Sequence, residues 1–403
     1  MTEATNITFP ARRTDDFRLV AGVSTAHFVS HFYMLVLPPL FAFVRADYAV
    51  SYTEIGVALT MFNAVSAVAQ TPAGFLIDRI NARLALIAGL LLGAVGFTVA
   101  AVVDSYWVLI AAFGLIGLGN TVYHPADYSL LSRHVAPERM SHAYSLHTFA
   151  GMLGSAAAPA AVLLMHGLYG WRGAFVGSAA LGVLAALLLL FTPGGAAHQP
   201  ASKTPPPGTG HTNWRLLMTA PILVNFVFFT IYAFGSFGLQ NFSVVALGQL
   251  YGTSPVAANS ALTGYLLLSA LGVLIGGLIA GRMTNHRITA ALGLSATVVA
   301  AILIGSVDLG TLLLVLVMSL AGLCGGIVMP SRDMIVREVT PPGSFGKVFA
   351  FVTTGYHIAG ILAPLLFALL LDHGEPRVIF FVTAAFTLLS IIAVACVPHR
   401  RAA

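Results

Sequence analysis

The stretch GLGNTVYHPADYSLLSRHVAP at residues 117–137 recurs in altered form as GLCGGIVMPSRDMIVREVTPP at residues 322–342. At a single offset of 205 residues, the matched pairs are Gly117 with Gly322, Leu118 with Leu323, Pro125 with Pro330, Pro137 with Pro342, Thr148 with Thr353, and Pro159 with Pro364. Apolar sequences often match by chance, but they rarely keep one gap-free register over so long a stretch. The pattern indicates an internal repeat and predicts two halves of the same architecture.

The composition places both halves in a membrane. Of the 403 residues, 58% are hydrophobic and only 8% are charged. A soluble domain of this length needs more charge to cover its surface, so a soluble fold is excluded. The first apolar run follows a polar segment and is too long for the core of a signal peptide. We therefore expect no cleaved signal and interpret that run as the first membrane span.

Twelve apolar segments are long enough to span a bilayer, six in each half. They are predicted at residues 18–44, 54–77, 84–103, 107–132, 141–165, 172–191, 214–246, 258–281, 288–306, 309–336, 345–371 and 376–397. The predicted fold class is an all-α polytopic membrane protein of two pseudo-symmetric six-helix bundles. The predicted parts are a tail at 1–17, a bundle at 18–191, a linker at 192–213 that contains Pro205, Pro206 and Pro207, a bundle at 214–397 and a tail at 398–403.

The basic residues are distributed unevenly between the two ends of these spans. Fifteen of the 19 Lys and Arg residues lie on the side of the N-terminus, three lie on the other side (Arg45, Arg172 and Arg377), and Arg332 lies within a span. Basic residues are retained on the cytoplasmic side of a membrane. Both termini are therefore predicted to be cytoplasmic in a cell inner membrane. The net charge of +5 reflects this bias, and we expect no binding of nucleic acid.

Other function classes find little support in the sequence. Cys324 and Cys396 lie in apolar runs without ligand spacing, so they predict neither a disulfide nor a metal site. The chain carries no nucleotide-binding loop and no clustered carboxylates or nucleophile with a base. We expect no cofactor and no enzymatic activity, and a membrane enzyme or sensor is the less favoured alternative. The expected partners are a small-molecule solute, protons and the lipid bilayer, for a chain that acts as a monomer.

A charged loop after the second span carries a family resemblance. Its sequence from Gly74 to Arg83, GFLIDRINAR, is similar to the G-x-L-x-D-R-x-G-R-R loop of the major facilitator superfamily, with departures at Asn81 and Ala82. The resemblance implies charges that close a cytoplasmic gate between two halves, although a simple topogenic cluster is the alternative. The predicted gate residues, including those of the second half, are Gly74, Asp78, Arg79, Arg83, Arg282 and Asp333.

Two shorter motifs resemble the fosmidomycin-resistance group of exporters within that superfamily. Ser30-His31 is similar to their Ser-His pair, and Tyr123-His124-Pro125 is similar to their Phe-His-Pro segment. The resemblance implies an antiporter that confers drug resistance by proton-driven efflux of a drug or metabolite, with a phosphonate as one candidate. Sequence does not set direction, so a proton-coupled importer or a uniporter of a small carboxylate or other metabolite stays open.

Ionisable groups inside spans are costly in lipid and are therefore candidate functional groups. The candidates for substrate or proton binding are His27, His31, His124, Asp127, His147, Asn225, Tyr232, Asn241, Arg332 and His357. His31 and His124 are favoured because the first and fourth helices of this superfamily line its cavity. Histidine exchanges protons near neutral pH. One hypothesis is that His31, His124 or Asp127 releases a proton when the solute binds from inside.

Each of these candidates also has a simpler interpretation. Asp127 lies roughly 30 Å along its span when counted from Trp107 at 1.5 Å per residue, so it is expected near the interface, paired with Arg79 or Arg83. Arg332 is expected either to bind a phosphonate or carboxylate through its planar fork or to pair with Asp333 or Glu338. The histidines and the polar side chains of the seventh span can instead form hydrogen bonds between helices.

Overall fold

A computed structural model describes residues 13–77, 80–135, 139–192, 214–280, 282, 285–341 and 345–396. These residues form the α-helices α1 (Arg13–Met34), α2 (Phe41–Tyr48), α3 (Tyr52–Ile77), α4 (Ala82–Val102), α5 (Tyr106–Asn120), α6 (Tyr123–His134), α7 (Met140–Leu190), α8 (Ala220–Phe237), α9 (Ser243–Tyr251), α10 (Pro255–Ala280), α11 (His286–Ser306), α12 (Gly310–Val339), α13 (Phe345–Asp372) and α14 (Pro376–Cys396). The predicted linker lies almost entirely outside the described residues, as do most of the predicted tails.

The helices account for the twelve predicted passes. In the described part of the chain, eleven helical segments are long and apolar enough to cross a membrane. One of them, Ala143–Leu190 in α7, has 48 residues, about 70 Å of helix, which is more than twice the ~30 Å apolar thickness of a bilayer. It is broken at Gly170, whose φ of 72° is outside the helical region. The fifth and sixth passes therefore lie on either side of Gly170.

Three passes are interrupted rather than continuous. The first is α1 and α2 joined by a 3-10 turn at Pro38–Leu40, and the fourth is α5 and α6. The seventh is α8 and α9 joined by a π-helical segment at Gly238–Phe242. Breaks of this kind are tolerated inside a membrane where neighbouring helices satisfy the freed backbone groups.

The lipid-facing surface is apolar, in contrast to the surface of a soluble protein. On α12, for example, Leu312, Leu316 and Leu320 are all more than half exposed and repeat every four residues. This spacing places them on one face of the helix. An exposed apolar stripe of this kind is stable only against lipid, which supports the interpretation of these helices as membrane spans.

Close helix crossings recur at equivalent positions of the two halves. A β-carbon on Gly117 of α5 would lie 2.9 Å from the Phe62 Cα of α3, and one on Gly322 of α12 would lie 2.8 Å from the Tyr265 Cα of α10. Both distances are below van der Waals contact, so each crossing requires glycine. The internal repeat in the sequence is therefore a repeat of packing geometry.

We call one end of the bundle the basic face, because most Lys and Arg residues lie there, and the other end the opposite face. The basic face is the end at which α1 begins, and the opposite face is the end at which α2 ends. The halves meet through α3 with α13 and through α7 with α10. At the opposite face, the Asp372 carboxylate of α13 accepts hydrogen bonds from the Tyr52 and Thr53 backbone amides of α3, both at 2.7 Å.

Further contacts between α3 and α13 lie deeper in the bundle. The Thr60 hydroxyl donates to the Ile361 carbonyl at 3.0 Å, and a ring nitrogen of His357 lies 2.6 Å from the Gln70 side-chain oxygen. Phe41 and Phe242 also join the halves, with ring centroids 5.3 Å apart. The contacts between the halves thus extend from the opposite face inwards.

Candidate functional site

Three helices of the N-terminal half bring five ionisable side chains together. α1 supplies His27 and His31, α6 supplies His124 and Asp127, and α7 supplies His147; we call these five residues the histidine cluster. The ring of His27 stacks on that of His147, with centroids 3.8 Å apart. Its centroid lies 4.6 Å from that of His31 and 5.1 Å from that of His124. Residues far apart in sequence therefore form one site.

Helical spacing explains how α1 and α6 contribute two residues each. His27 and His31 are four residues apart, and His124 and Asp127 are three apart, so each pair shares one helix face. The break between α5 and α6 restarts the helix at Tyr123, next to His124. The count from Trp107 to Asp127 assumed one unbroken helix. Because the helix is interrupted, that count misplaces Asp127 relative to the neighbouring helices.

Asp127 is fully buried in the histidine cluster. Its Oδ2 lies 3.2 Å from His27 Nδ1 and 3.6 Å from His147 Nε2. The alternative that pairs Asp127 with Arg83 does not match this geometry, because the Arg83 guanidinium donates to the Leu189 and Leu190 carbonyls. Arg79, the other partner considered, lies outside the described residues. The side chain of Asp127 faces the bundle interior, where the cost of a charge is high unless a partner offsets it.

His124 connects the buried cluster to open space. His27 and His147 are buried, whereas His124 is exposed, although its ring lies next to that of His27. His31 has one ring nitrogen occupied, since its Nδ1 lies 3.2 Å from the Ser155 hydroxyl. Solutes or ions therefore reach the cluster through His124.

Gly151 of α7 provides the space that the histidines of α1 occupy. A β-carbon there would lie 2.7 Å from His27 Nε2 and 3.0 Å from His31 Cδ2. Both separations are shorter than ordinary contacts, so a larger residue would displace the two rings. Nothing in the sequence around Gly151 signals this contact with the histidines.

Arg332 forms a second buried site in the C-terminal half. Its guanidinium pairs with the Asp333 carboxylate at 2.8 Å and donates to the Tyr356 hydroxyl. Its Cζ lies 4.6 Å from the ring centroid of Phe229 and 5.7 Å from that of Tyr232. The structure thus places Arg332 in the pair with Asp333, which was one of the two expected arrangements. The aromatic partners Phe229 and Tyr356 carry no sequence signal that distinguishes them from ordinary core residues.

The two sites are related by the repeat. Arg332 is 205 residues after Asp127, and Tyr232 is 205 residues after His27. Equivalent positions therefore hold a buried carboxylate beside imidazoles in one half and a buried guanidinium beside phenol rings in the other. The N-terminal half therefore carries an acidic, histidine-rich group where the C-terminal half carries a basic, aromatic one.

The remaining candidates are placed away from these two sites or in other roles. Asn225 and Asn241 donate to the carbonyls four residues earlier, at 2.8 and 3.4 Å. His357 contacts Gln70 across the halves. Arg282 is exposed, and Gly74 lies near the end of α3. The gate residues Asp78 and Arg79 lie outside the described residues, so the predicted gate stays a prediction.

The histidine cluster also bears on the expectation of no metal site, which stays a prediction. That expectation rested on the two cysteines and on local spacing, whereas the ring nitrogens of His27, His124 and His147 converge within 4.8 Å of one another. Ligands from three separate helices have no characteristic spacing in a sequence. The structure therefore shows a possible donor set that local motifs cannot reveal.

Comparison with known proteins gives one family. The model described as "Major Facilitator Superfamily" matches residues 23–242 and 226–403. The fosmidomycin resistance protein of Escherichia coli (strain K12) is 21% identical over 395 residues, which are 95% of this chain and 94% of that protein.

Solved structures show the same architecture at low sequence identity. The inward-facing, occupied structure of a bacterial homolog of the human lysosomal transporter Spinster has a TM-score of 0.78 at 13% identity, covering 95% of this chain and 96% of that one. The nucleoside transporter NupG has a TM-score of 0.76 at 15% identity, covering 94% of this chain and 99% of that one. At this identity the likeness establishes the fold alone.

Proposed function

The chain belongs to the Major Facilitator Superfamily, and from this premise we propose that it exports a small polar or anionic solute across the cell inner membrane in exchange for protons. It is a multi-pass membrane transporter rather than an enzyme. The full-length similarity to a fosmidomycin resistance protein makes a phosphonate the first candidate solute. The resemblance implies that a proton gradient drives this export.

We place the basic face in the cytoplasm, with both termini on that side. The bias of Lys and Arg supports this orientation. At the opposite face, Arg172 forms ion pairs with Asp47 and with Asp104, the latter at 2.7 Å. Arg172 is one of three basic residues on this side against fifteen on the basic face, so the bias still supports the orientation.

Alternating access follows from how the halves contact each other. The contacts between α3 and α13 extend from Asp372 at the opposite face to His357 deeper in the bundle. In the proposed orientation these contacts join the halves from the outer side inwards, and we propose that the solute enters from the cytoplasmic side. Rocking of one half against the other would open the outer side, as expected for a fold of two repeats.

The single observation that carries the solute proposal is the pair of repeat-related sites. His124 is exposed beside a buried cluster, and Arg332 is positioned at the equivalent level of the other half. An anionic solute would accept hydrogen bonds from His31 and His124 and compete with Asp333 for the guanidinium of Arg332. A guanidinium fork is well matched to phosphonate and carboxylate oxygens.

Inside-out membrane vesicles provide the direct test of coupling and direction. We expect accumulation of labelled fosmidomycin when the vesicle interior is acidic, and loss of accumulation when the pH gradient is dissipated. Transport that is indifferent to the gradient would contradict proton coupling. Uptake of a small carboxylate only into right-side-out vesicles would instead support the importer.

The substitution Arg332→Lys tests the anion site in the same vesicles. Lysine keeps the charge but loses the planar fork and the contact with the Phe229 ring. We expect the apparent KM for an anionic solute to rise at least ~10-fold, since charge-assisted bidentate hydrogen bonds are among the stronger polar contacts. Arg337→Lys is the matched control because Arg337 is exposed on the same helix. Equal KM values for the two variants would contradict the assignment.

A further inference from the structure

The geometry points to a binding site for a divalent first-row transition-metal ion, such as Zn²⁺, formed by His27, His124, His147 and Asp127. This site goes beyond the proposed export of an organic solute and does not depend on that proposal. It accounts for a group of buried polar atoms that lie close together but form no hydrogen bonds.

The first argument is the separation of the donor atoms. Metal–nitrogen bonds of about 2.0–2.1 Å in a tetrahedral site place neighbouring donors about 3.3 Å apart. The Asp127 Oδ2 is 3.2 Å from His27 Nδ1 and 3.6 Å from His147 Nε2, close to that spacing before any metal is bound. The three histidines keep their donor atoms within 4.8 Å of one another, and Asp127 would join them through its closeness to His27 and His147.

The second argument is the lack of hydrogen-bond partners. Within the described residues, His27 Nδ1, His147 Nε2 and both carboxylate oxygens of Asp127 are buried and form no hydrogen bond. The short distances between them do not have hydrogen-bond geometry. Buried polar groups without partners are costly and therefore rare. A cation bound between them would satisfy three of these atoms at once, after the stacked rings of His27 and His147 rotate so that their in-plane lone pairs point at it.

The third argument is the chemistry of the donors. Three imidazoles and one carboxylate suit Zn²⁺, Co²⁺ or Ni²⁺, whereas Ca²⁺ and Mg²⁺ prefer oxygen ligands. One carboxylate also offsets part of the charge of a divalent ion. Because His27 and His147 are buried and His124 is exposed, an ion would enter and leave on the side of His124. The site is therefore exchangeable rather than sealed.

Binding of metal ions to the purified full-length chain without a histidine tag tests the site. Zn²⁺ is titrated calorimetrically, and Co²⁺ is titrated by its visible absorption, which reports the coordination geometry. We expect one equivalent of Zn²⁺, displacement of Co²⁺ by Zn²⁺, and an X-ray absorption spectrum with nitrogen and oxygen neighbours only. Absence of a stoichiometric equivalent would overturn the proposal.

Two variants separate a built site from adventitious binding by surface histidines. His124→Ala removes the accessible ligand without creating a buried cavity, and we expect at least ~10-fold weaker binding of Zn²⁺. His373→Ala is the control, because His373 is exposed at the opposite face and contacts only the Leu369 carbonyl among its described hydrogen-bond partners. Equal affinity of His124→Ala and His373→Ala would show adventitious binding and would also overturn the proposal.

A third variant tests the Asp127 carboxylate as a ligand. Its folding is checked separately, so that a loss of binding is not confused with unfolding. Asp127→Asn has nearly the same shape as the native residue, and its elution as a single monodisperse species confirms that it is folded. We expect Zn²⁺ affinity to fall at least ~10-fold and the Co²⁺ spectrum to change, because an amide is a weaker ligand than a carboxylate. An unchanged Co²⁺ spectrum and affinity in this folded variant would remove Asp127 from the site and refute the four-ligand proposal.

Discussion

At the scale of the residue, Asp127 and Arg332 show how a repeat acquires function. They occupy equivalent positions, yet one is a carboxylate among imidazoles and the other is a guanidinium among aromatic rings. Packing constraints are similar at the two positions, because both lie on the pass that crosses its neighbour at a glycine. The chemical difference between the halves is thus confined to a few side chains on a shared scaffold.

Gly151 gives a testable prediction at this scale. We expect Gly151→Ala to lower the free energy of unfolding by about 1–3 kcal/mol, because its β-carbon would overlap the rings of His27 and His31. Thermal or chemical unfolding in detergent measures the change. Gly167→Ala on the same helix is the control, since nothing lies within 4 Å of its added carbon and alanine favours the helix. If both variants unfold alike, the close approach of α7 to the histidines is incorrect.

At the scale of the element, the interrupted passes position the candidate groups. The break between α5 and α6 brings His124 and Asp127 to the face of α1, and the π-helical segment after α8 contains Asn241. Helix irregularities of these kinds concentrate at functional sites. The glycine crossings that hold neighbouring passes together are, in contrast, regular and repeated in both halves.

The crossing of α10 and α12 gives the second prediction. Gly322→Ala is expected to destabilise the C-terminal half by about 1–3 kcal/mol, because the added carbon would meet the Tyr265 backbone rather than a movable side chain. The unfolding transition in detergent again provides the measurement. Gly325→Ala is a close control on the same helix, since its nearest neighbour would be the Thr297 hydroxyl at 3.8 Å. Similar stability of both variants would argue against the crossing.

At the scale of the whole molecule, the contact of Asp372 with α3 links the two halves. Its carboxylate accepts hydrogen bonds from two amides at the start of α3, where the helix dipole also favours a negative charge. Such a cap is worth roughly 0.5–2 kcal/mol. In a transporter, the inward-open and outward-open states differ in free energy by a few kcal/mol. A contact of this size therefore shifts the ratio of their populations.

The third prediction concerns that population. We expect Asp372→Ala to favour opening of the opposite face, since only the state closed there contains the cap. Spin labels at Val103→Cys and Val307→Cys, one in each half, would report a larger fraction of long distances after the native cysteines are replaced. The control is Asp308→Ala, because Asp308 at the same face accepts from the Gly310 amide of its own half. Equal distance distributions would show that Asp372 does not act as a latch.

Much of this architecture was predictable because it depends on periodic and compositional features. The apolar runs, the basic bias and the offset of 205 residues predicted the membrane fold and the two halves, and the family match confirms that class. The break at Gly170 falls within the predicted connection between the fifth and sixth spans at residues 166–171. The interruption of the fourth pass was not predicted, since nothing in the apolar pattern changes there. The first span starts at Phe17, next to the predicted residue 18, and ends at Tyr48 rather than at residue 44.

The sequence alone determined that this chain spans a membrane as two repeated bundles. Spanning a lipid bilayer requires long apolar helices, and these are visible in the sequence as long apolar runs. It also identified the individual histidines, Asp127 and Arg332 as costly residues. Only the tertiary structure decided their partners: Asp127 lies with His27 and His147, and Arg332 pairs with Asp333. The reason is physical, since contacts between helices depend on rotation, crossing and breaks, which local sequence does not specify.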